Sequence, residues 1–241
     1  MSATAGDRPT RPELSGRHLV RIVQFSLDAG DNHEELAELL DEHERSRSRL
    51  IAEEGRRKRF ETAHAFIRIV LGRHLRVRPE TITFSRGPAG KPAIVGAADL
   101  RFNLSHSGAH AVLAVSHGRE VGVDIEQVRP VDVPSLARRF FSRGEADALQ
   151  ALSGDRQLRS FFRCWTRKES LVKAVGDGLG IPLNAFEAGL QETGEIIVYP
   201  TPADQQTCWT VSDISTFPGY AAALTVAGSG LQIEHGVWRS A

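Results

Sequence analysis

A loose repeat, with a period of about one hundred residues, limits the folds open to this 241-residue chain more than any other feature. In the first half a helical pattern carrying Arg59, Phe60, Phe66, Ile67 and Arg68 leads through Leu75 and Pro79 to Phe84. In the second half, one carrying Phe162, Trp165 and Arg167 leads through Leu179 and Pro182 to Phe186. Gly108 to Val115 is followed by a turn at Gly118 and a strand to Glu126, just as Gly219 to Val226 is followed by Gly228-Ser229-Gly230 and a strand to Glu234. The repeat predicts an α+β fold of two similar halves related by a pseudo-twofold. Each half is a helix packed on a small antiparallel sheet, with a site at their junction. The expected division is a disordered N-terminus over 1–15, an N-terminal half over 16–128 and a C-terminal half over 129–241. The link Arg129-Pro130-Val131-Asp132-Val133-Pro134 is kept extended by its two prolines.

The chemistry concentrates in two segments. In Val121-Gly122-Val123-Asp124-Ile125-Glu126 the apolar residues alternate with the others, so a strand here buries Val121, Val123 and Ile125 and turns both carboxylates to its other face. The two acids then stand roughly 7 Å apart along the strand, near enough to converge on one cation. Farther on, Phe161, Cys164, Trp165, Lys168, Leu171, Val172 and Val175 recur at helical steps without a proline, which places Glu169 and Lys173 one turn apart on one side. A carboxylate and an ammonium so placed suit a magnesium ion bridging to a phosphate, with the lysine neutralising what charge remains. Each segment alone also has a plainer reading. Alternating acids are the wet face of a strand, and a Glu–Lys pair at this spacing contributes only about 0.2–0.5 kcal/mol on a helix surface.

Read in order, Phe102-Asn103-Leu104-Ser105-His106-Ser107, then Gly122-Val123-Asp124-Ile125-Glu126, then Trp165-x-x-Lys168-Glu169-x-x-x-Lys173-Ala174 resembles the 4'-phosphopantetheinyl transferases of the long, surfactin-synthetase-activating type. Gly90-Lys91-Pro92 fits the same pattern, and the resemblance runs from about residue 35 to about residue 230. It implies transfer of the phosphopantetheine arm of coenzyme A to a serine hydroxyl of an acyl or peptidyl carrier protein, leaving adenosine 3',5'-bisphosphate. It further implies Asp124, Glu126 and Glu169 as magnesium ligands, and Lys173 with His106, and Ser105 beside them, as the groups that hold the diphosphate. Arg59 and Lys91 match cationic positions around the 3'-phosphate and adenosine end. Glu169, Lys173 and His106 are the expected catalytic groups, with the acceptor of the serine proton left open. Short relatives build this site between identical subunits, so a fused pair implies a monomer. The segment from Gly176 to about Leu190 matches the carrier-facing region, with Val172, Leu179 and Ile181 as apolar contacts.

Several residues carry two readings. His106 between two serines is otherwise a turn residue, with Ser105, Ser107 and Asn103 as local caps. Glu145 in Phe140-Phe141-Ser142-x-x-Glu145 matches a glutamate proposed as catalytic in some relatives, yet Ser142-x-x-Glu145 is also a capping box. The basic run Arg45, Arg47, Arg49, Arg56, Arg57, Lys58 and Arg59 is interleaved with Glu42, Glu44, Glu53 and Glu54, as a solvated helix face would be. Asp31-Asn32-His33-Glu34 with Leu36, Leu39 and Leu40 reads as a capped amphipathic helix, and Trp209 and Trp238 as core or edge aromatics.

Lys+Arg and Asp+Glu both total 30, so no overall charge draws the chain to nucleic acid or an anionic membrane. With 7% aromatic residues as well, a nuclease-like reading of the acidic cluster lacks stacking platforms. A metal-dependent phosphodiesterase and a non-catalytic coenzyme A- or carrier-binding module are the alternatives. Only Cys164 and Cys208 are present, no window approaches a membrane span, and residues 1–15 lack an apolar core of a signal peptide, from which a cytoplasmic protein is expected.

Overall fold

The computed structural model describes residues 19–28, 33–87, 90–176, 181–192, 195–198 and 208–237. The expected disordered N-terminus, Asp31, Asn32, Leu179 and Trp238 lie outside these residues.

Two four-stranded sheets lie back to back, each covered on its outer side by a 22-residue helix. The first sheet joins β1 (Leu19–Ser26), β4 (Leu100–Ser107) and β5 (His110–His117) to β10 (Gln232–Val237), in the order β10-β1-β5-β4. The second joins β6 (Val121–Gln127) to β7 (Ile196–Val198), β8 (Trp209–Asp213) and β9 (Tyr220–Ala227), in the order β6-β9-β8-β7. A hairpin of β2 (Phe84–Arg86) and β3 (Pro92–Ile94) stands apart. Two short helices, α1 (His33–Glu38) and α2 (Glu42–Arg49), precede the long α3 (Glu54–Leu75). In the second half α4 (Val133–Phe140) and α5 (Arg143–Gln150) precede α6 (Gly154–Val175).

Alternation along the strands sorts the layers. Val23 and Phe25 of β1, Phe102 of β4 and Leu113 of β5 pack with Phe66, Ile67, Val70 and Leu71 of α3. Their neighbours Val20, Ile22, Val112 and Ala114 face the other way, onto Val121, Val123, Ile125 and Leu224 of the second sheet. Each such side chain, fully buried, is worth roughly 1.5–3 kcal/mol of transfer free energy, which makes the sheet-to-sheet seam a true core. On the far side Leu171, Val172 and Ala174 of α6 close over Trp209 and Val211 of β8, so Trp209 is a core aromatic at 5% exposure.

The architecture is the α+β pair of helix-on-sheet units expected, with two differences. The halves are interleaved: β6, before the 128/129 division, is hydrogen-bonded to β9 in the second sheet, while β10, from the end of the second half, pairs with β1 in the first. The β1–β10 pairing is also parallel, so the first sheet is mixed rather than antiparallel. Both follow from one fact: alternation specifies which face a strand buries, not which strand it lies beside.

Candidate active site

Strand β6 and helix α6 approach each other more closely than a side chain would allow. A Cβ added to Gly122 would stand 2.1 Å from the Ser170 carbonyl oxygen and 2.3 Å from the Ala174 nitrogen. Only glycine fits there, and the consequence is that Glu169 and Lys173, flanking that contact, are set over Asp124 two residues along the strand. The opposite side of α6 is pinned by its own cations. Fully buried Arg167 holds Asp213 of β8 with two parallel bonds of 2.7 and 2.8 Å and donates to the carbonyls of Gly189 and Gln191. Lys168, also fully buried, uses its three N–H groups on Glu145 (2.7 Å), the Leu183 carbonyl (2.8 Å) and the Phe186 carbonyl (2.5 Å). Of Arg167-Lys168-Glu169, then, two residues fix the helix and the third faces the site.

At the centre Asp124 is 3% exposed. Its Oδ1 accepts from Ser105 Oγ at 2.8 Å and from Lys173 Nζ at 2.6 Å, and Lys173 also donates to Ser105 Oγ at 2.9 Å. Its Oδ2 is buried with no hydrogen-bond partner. Glu126 accepts from Ser107 Oγ at 2.8 Å. Burial raises the pKa of Asp124, and Lys173 and Ser105 only partly offset it. Glu126 is raised by burial and by the charge of Asp124, and Glu169 by burial and then by Asp124 and Glu126. Three carboxylates therefore repel one another beside one ammonium, an arrangement that favours a further cation. Among the described residues no three His, Cys, Asp or Glu side chains are drawn together at metal-binding geometry, so the acids are neighbours rather than a closed cage. Their chemistry fits magnesium: all-oxygen donors, and a buried carboxylate oxygen whose unmet bonding would otherwise be costly.

The remaining expected residues fall in three groups. Ser105 is in the cluster, but its donor and both acceptor positions are used within the protein, by Asp124, Lys173 and the Ile125 N–H at 3.4 Å. His106, on the other face of β4, is exposed; the protein crowding one side of its ring, and then the charges of Lys173 and His64, lower its pKa. Arg59 and Lys91 are not brought together. Lys91 Nζ donates to Glu120 and to the Ala174 carbonyl, both at 2.7 Å, closing the C-terminal turn of α6 just before β6 begins. Arg59 is held by Asp28 at 2.8 Å and lies within reach of the field of Tyr220, which pairs with Gln127 where β6 ends. The partners of the two cations thus lie toward opposite ends of β6.

Glu145 is settled by its contacts. With Ser142 it forms the capping box of α5, and it also accepts from Lys168 and from the Ala188 and Gly189 amides, at 5% exposure. Both of its oxygens are engaged by protein donors. The feature that sequence reasoning missed is Ser107, read only as a turn residue. Its signal was present: Asn103-x-Ser105-x-Ser107 has the same two-residue period as Asp124-x-Glu126.

The site thus gathers a sheet-bound acidic pair, a helix-borne Glu–Lys pair and a buried unmet carboxylate oxygen. Comparison with known proteins identifies the family. The 4'-phosphopantetheinyl transferase superfamily profile matches residues 120–225, and the profile of the 4'-phosphopantetheinyl transferase N-terminal region matches residues 29–118. The 4'-phosphopantetheinyl transferase HetI of Nostoc sp. (strain PCC 7120) is 36% identical over 221 residues, covering 88% of this chain and 90% of its own. The 4'-phosphopantetheinyl transferase Sfp of Bacillus subtilis (strain 168) is 34% identical over 161 residues, covering 67% and 70%. The chain belongs to the 4'-phosphopantetheinyl transferase family. A crystal structure of a holo-(acyl-carrier-protein) synthase from Bacillus anthracis, in complex with CoA (3',5'-ADP), covers 46% of this chain and 96% of its own at 22% identity, with a TM-score of 0.39. At that score the likeness is slight, and the fold rests on the contacts described above.

Proposed function

We propose that the chain moves the 4'-phosphopantetheine arm of coenzyme A onto a serine hydroxyl of an acyl or peptidyl carrier protein, releasing adenosine 3',5'-bisphosphate, with magnesium at Asp124, Glu126 and Glu169. Family membership supports the reaction class, and the observation that carries the site is the buried, unpartnered Oδ2 of Asp124 amid two further carboxylates. Attack on a diphosphate needs its charge neutralised and the incoming hydroxyl oriented. The magnesium ion, when bound, supplies that neutralisation. Lys173 reaches the diphosphate from the helix side, having one N–H beyond those it gives Asp124 and Ser105. His106, neutral near pH 7, offers an N–H from the β4 side. Glu169, only partly buried where Asp124 is buried, is the carboxylate placed to receive the serine proton. Ser105 holds Asp124 and Lys173 together beside the diphosphate.

At the nucleotide end Arg59 is the stronger candidate for the 3'-phosphate, because Lys91 has one N–H left for a ligand. The carrier docks, in this reading, over the segment from Gly176 to Leu190, of which residues 177–180 lie outside the described ones. The division of the chain at 128/129, action as a monomer and a cytoplasmic location belong to the same proposal. Among the described residues no helix is long and apolar enough to cross a membrane.

One experiment tests the reaction. The protein is mixed with coenzyme A, Mg²⁺ and an unmodified carrier domain, and the carrier is weighed by mass spectrometry. A gain equal to the phosphopantetheine arm, abolished by chelation or by a Ser→Ala carrier, is expected; an unchanged mass across several carrier classes overturns the proposal.

A further inference from the structure

Among the described residues β6 pairs as a strand with β9 alone, so its edge toward β4 has no strand partner there. Its amides are taken instead by side chains of β4: the Val123 N–H by Asn103 Oδ1 (2.9 Å), the Ile125 N–H by Ser105 Oγ (3.4 Å) and the Gln127 N–H by Ser107 Oγ (3.1 Å). Side chains two residues apart on one strand thus satisfy amides two residues apart on the other. The sheets are thereby stitched edge to edge while their backbones stand a side chain's length apart.

The two hydroxyls do a second thing that the amide of Asn103 does not. Each takes the N–H that follows an acid and gives its own hydrogen to that acid: Ser105 to Asp124 and Ser107 to Glu126, both at 2.8 Å. For Ser107 this closes a ring through the Glu126 carboxylate, the β6 backbone and the hydroxyl. A glutamate has three side-chain torsions and, when free, many rotamers. Tied through Oε2, this one keeps a fixed direction and leaves Oε1 for another partner.

The geometry points to Ser107 as a positioning residue for Glu126: its hydroxyl aims the carboxylate at a divalent cation, and its loss weakens the cation's hold without touching coenzyme A directly. This rests on the assignment of Glu126 as a metal ligand in the proposed function. Groups that hydrogen-bond to ligating carboxylates typically alter metal affinity or activity about 10–100-fold when removed.

The test compares Ser107→Ala, Ser107→Thr and Asn103→Ala by three readouts: direct Mn²⁺ binding by electron paramagnetic resonance, the Mg²⁺ concentration giving half-maximal transfer, and the melting temperature. Ser107→Ala is expected to weaken Mn²⁺ and raise the half-maximal Mg²⁺ about tenfold, with KM for coenzyme A within twofold. Ser107→Thr, which keeps the hydroxyl, restores both. Asn103→Ala breaks a stitch that touches no carboxylate, so it lowers the melting temperature but leaves Mn²⁺ affinity unchanged. Equal Mn²⁺ affinity in wild type and Ser107→Ala overturns the inference, as does an Asn103→Ala protein that loses Mn²⁺ as strongly as Ser107→Ala. Because Mn²⁺ binding is read without turnover, a wild type that binds Mn²⁺ but modifies no carrier refutes the proposed reaction and still decides the role of Ser107.

Discussion

The two exchanged strands, β6 and β10, occupy matching places in the repeat but sit in very different surroundings. Strand β6 is clasped between α6 and β4, with Gly122 against the helix backbone, Asp124 buried and Glu126 half-buried. Strand β10 lies at the margin of its sheet. Gly236 there has only the Ile22 carbonyl near it, at 3.7 Å from an added Cβ, and Glu234, which matches Glu126 in the repeat, is neutralised by Arg21 at 2.9 Å on the surface. The helix opposite differs as well, since α3 meets its sheet through Phe66, Ile67, Val70 and Leu71, with no acid on that face. One junction holds the candidate site, where the helix comes close and brings a carboxylate and an ammonium with it; the other is packing.

The comparison is broken most sharply at the glycines. Gly122→Ala places a methyl inside the backbone of α6 and should destabilise by more than about 4 kcal/mol or prevent folding, whereas Gly236→Ala should change stability by less than about 1 kcal/mol. Urea unfolding of both proteins checks this, and equal effects would mean that α6 can withdraw from β6. Next in size, Glu169→Gln and Asp124→Ala should reduce transfer by about 10²–10⁴ or more. The melting temperature should hold or rise in Glu169→Gln, which relieves a repelling cluster, and fall in Asp124→Ala, which leaves Lys173 Nζ and Ser105 Oγ without their acceptor. Retention of full activity in Mg²⁺ by either variant refutes the metal assignment.

The second junction has its own pH signature. His74, near the end of α3 and close to Arg21, His117 and Glu234, has a pKa lowered to about 4 by burial first and then by the Arg21 and His117 charges. Its folded value lies below its unfolded one, so the unfolded chain takes the proton first. The stabilisation is complete above about pH 6.5 and is lost as pH falls toward 4. Glu44, bonded by His64 and Arg68 strongly enough to outweigh its burial, has a pKa lowered to about 2, and its contribution is lost only between about pH 4.5 and 2. These two groups lower the melting temperature in two steps as pH falls below about 6.5, and His74→Gln should reduce the first, to which His106 and His110 also contribute, while leaving the second. The smallest effect belongs to Glu234→Gln, an exposed pair worth about 0–1 kcal/mol, with transfer unchanged within about twofold. A large loss of transfer there would show that the second junction is functional after all.

What the sequence disclosed follows from periodicity. The alternation in 121–126 set which side chains of β6 enter the sheet-to-sheet core, though its other face, with Gly122 and Asp124, is buried as well. The three- and four-residue steps announced α6, and Ser142-x-x-Glu145 the cap that contact geometry then bore out. What it hid was neighbourhood. Nothing in a single strand's pattern says that β6 leaves its own half, that the Lys91 amine folds back onto the Ala174 carbonyl, or that Ser107 faces Glu126 across a gap. Those are properties of pairs distant in the chain, fixed by which surfaces remain to be covered once both sheets have formed.

The traded strands also bear on how the chain is made. During synthesis β1, which emerges more than two hundred residues before β10, lacks its outer neighbour until residues 232–237 have left the ribosome, and until then its outer edge is open to pairing with strangers. A protein cut between its lobes should therefore yield two sticky fragments rather than two working pieces, and adding both together is the way to recover either.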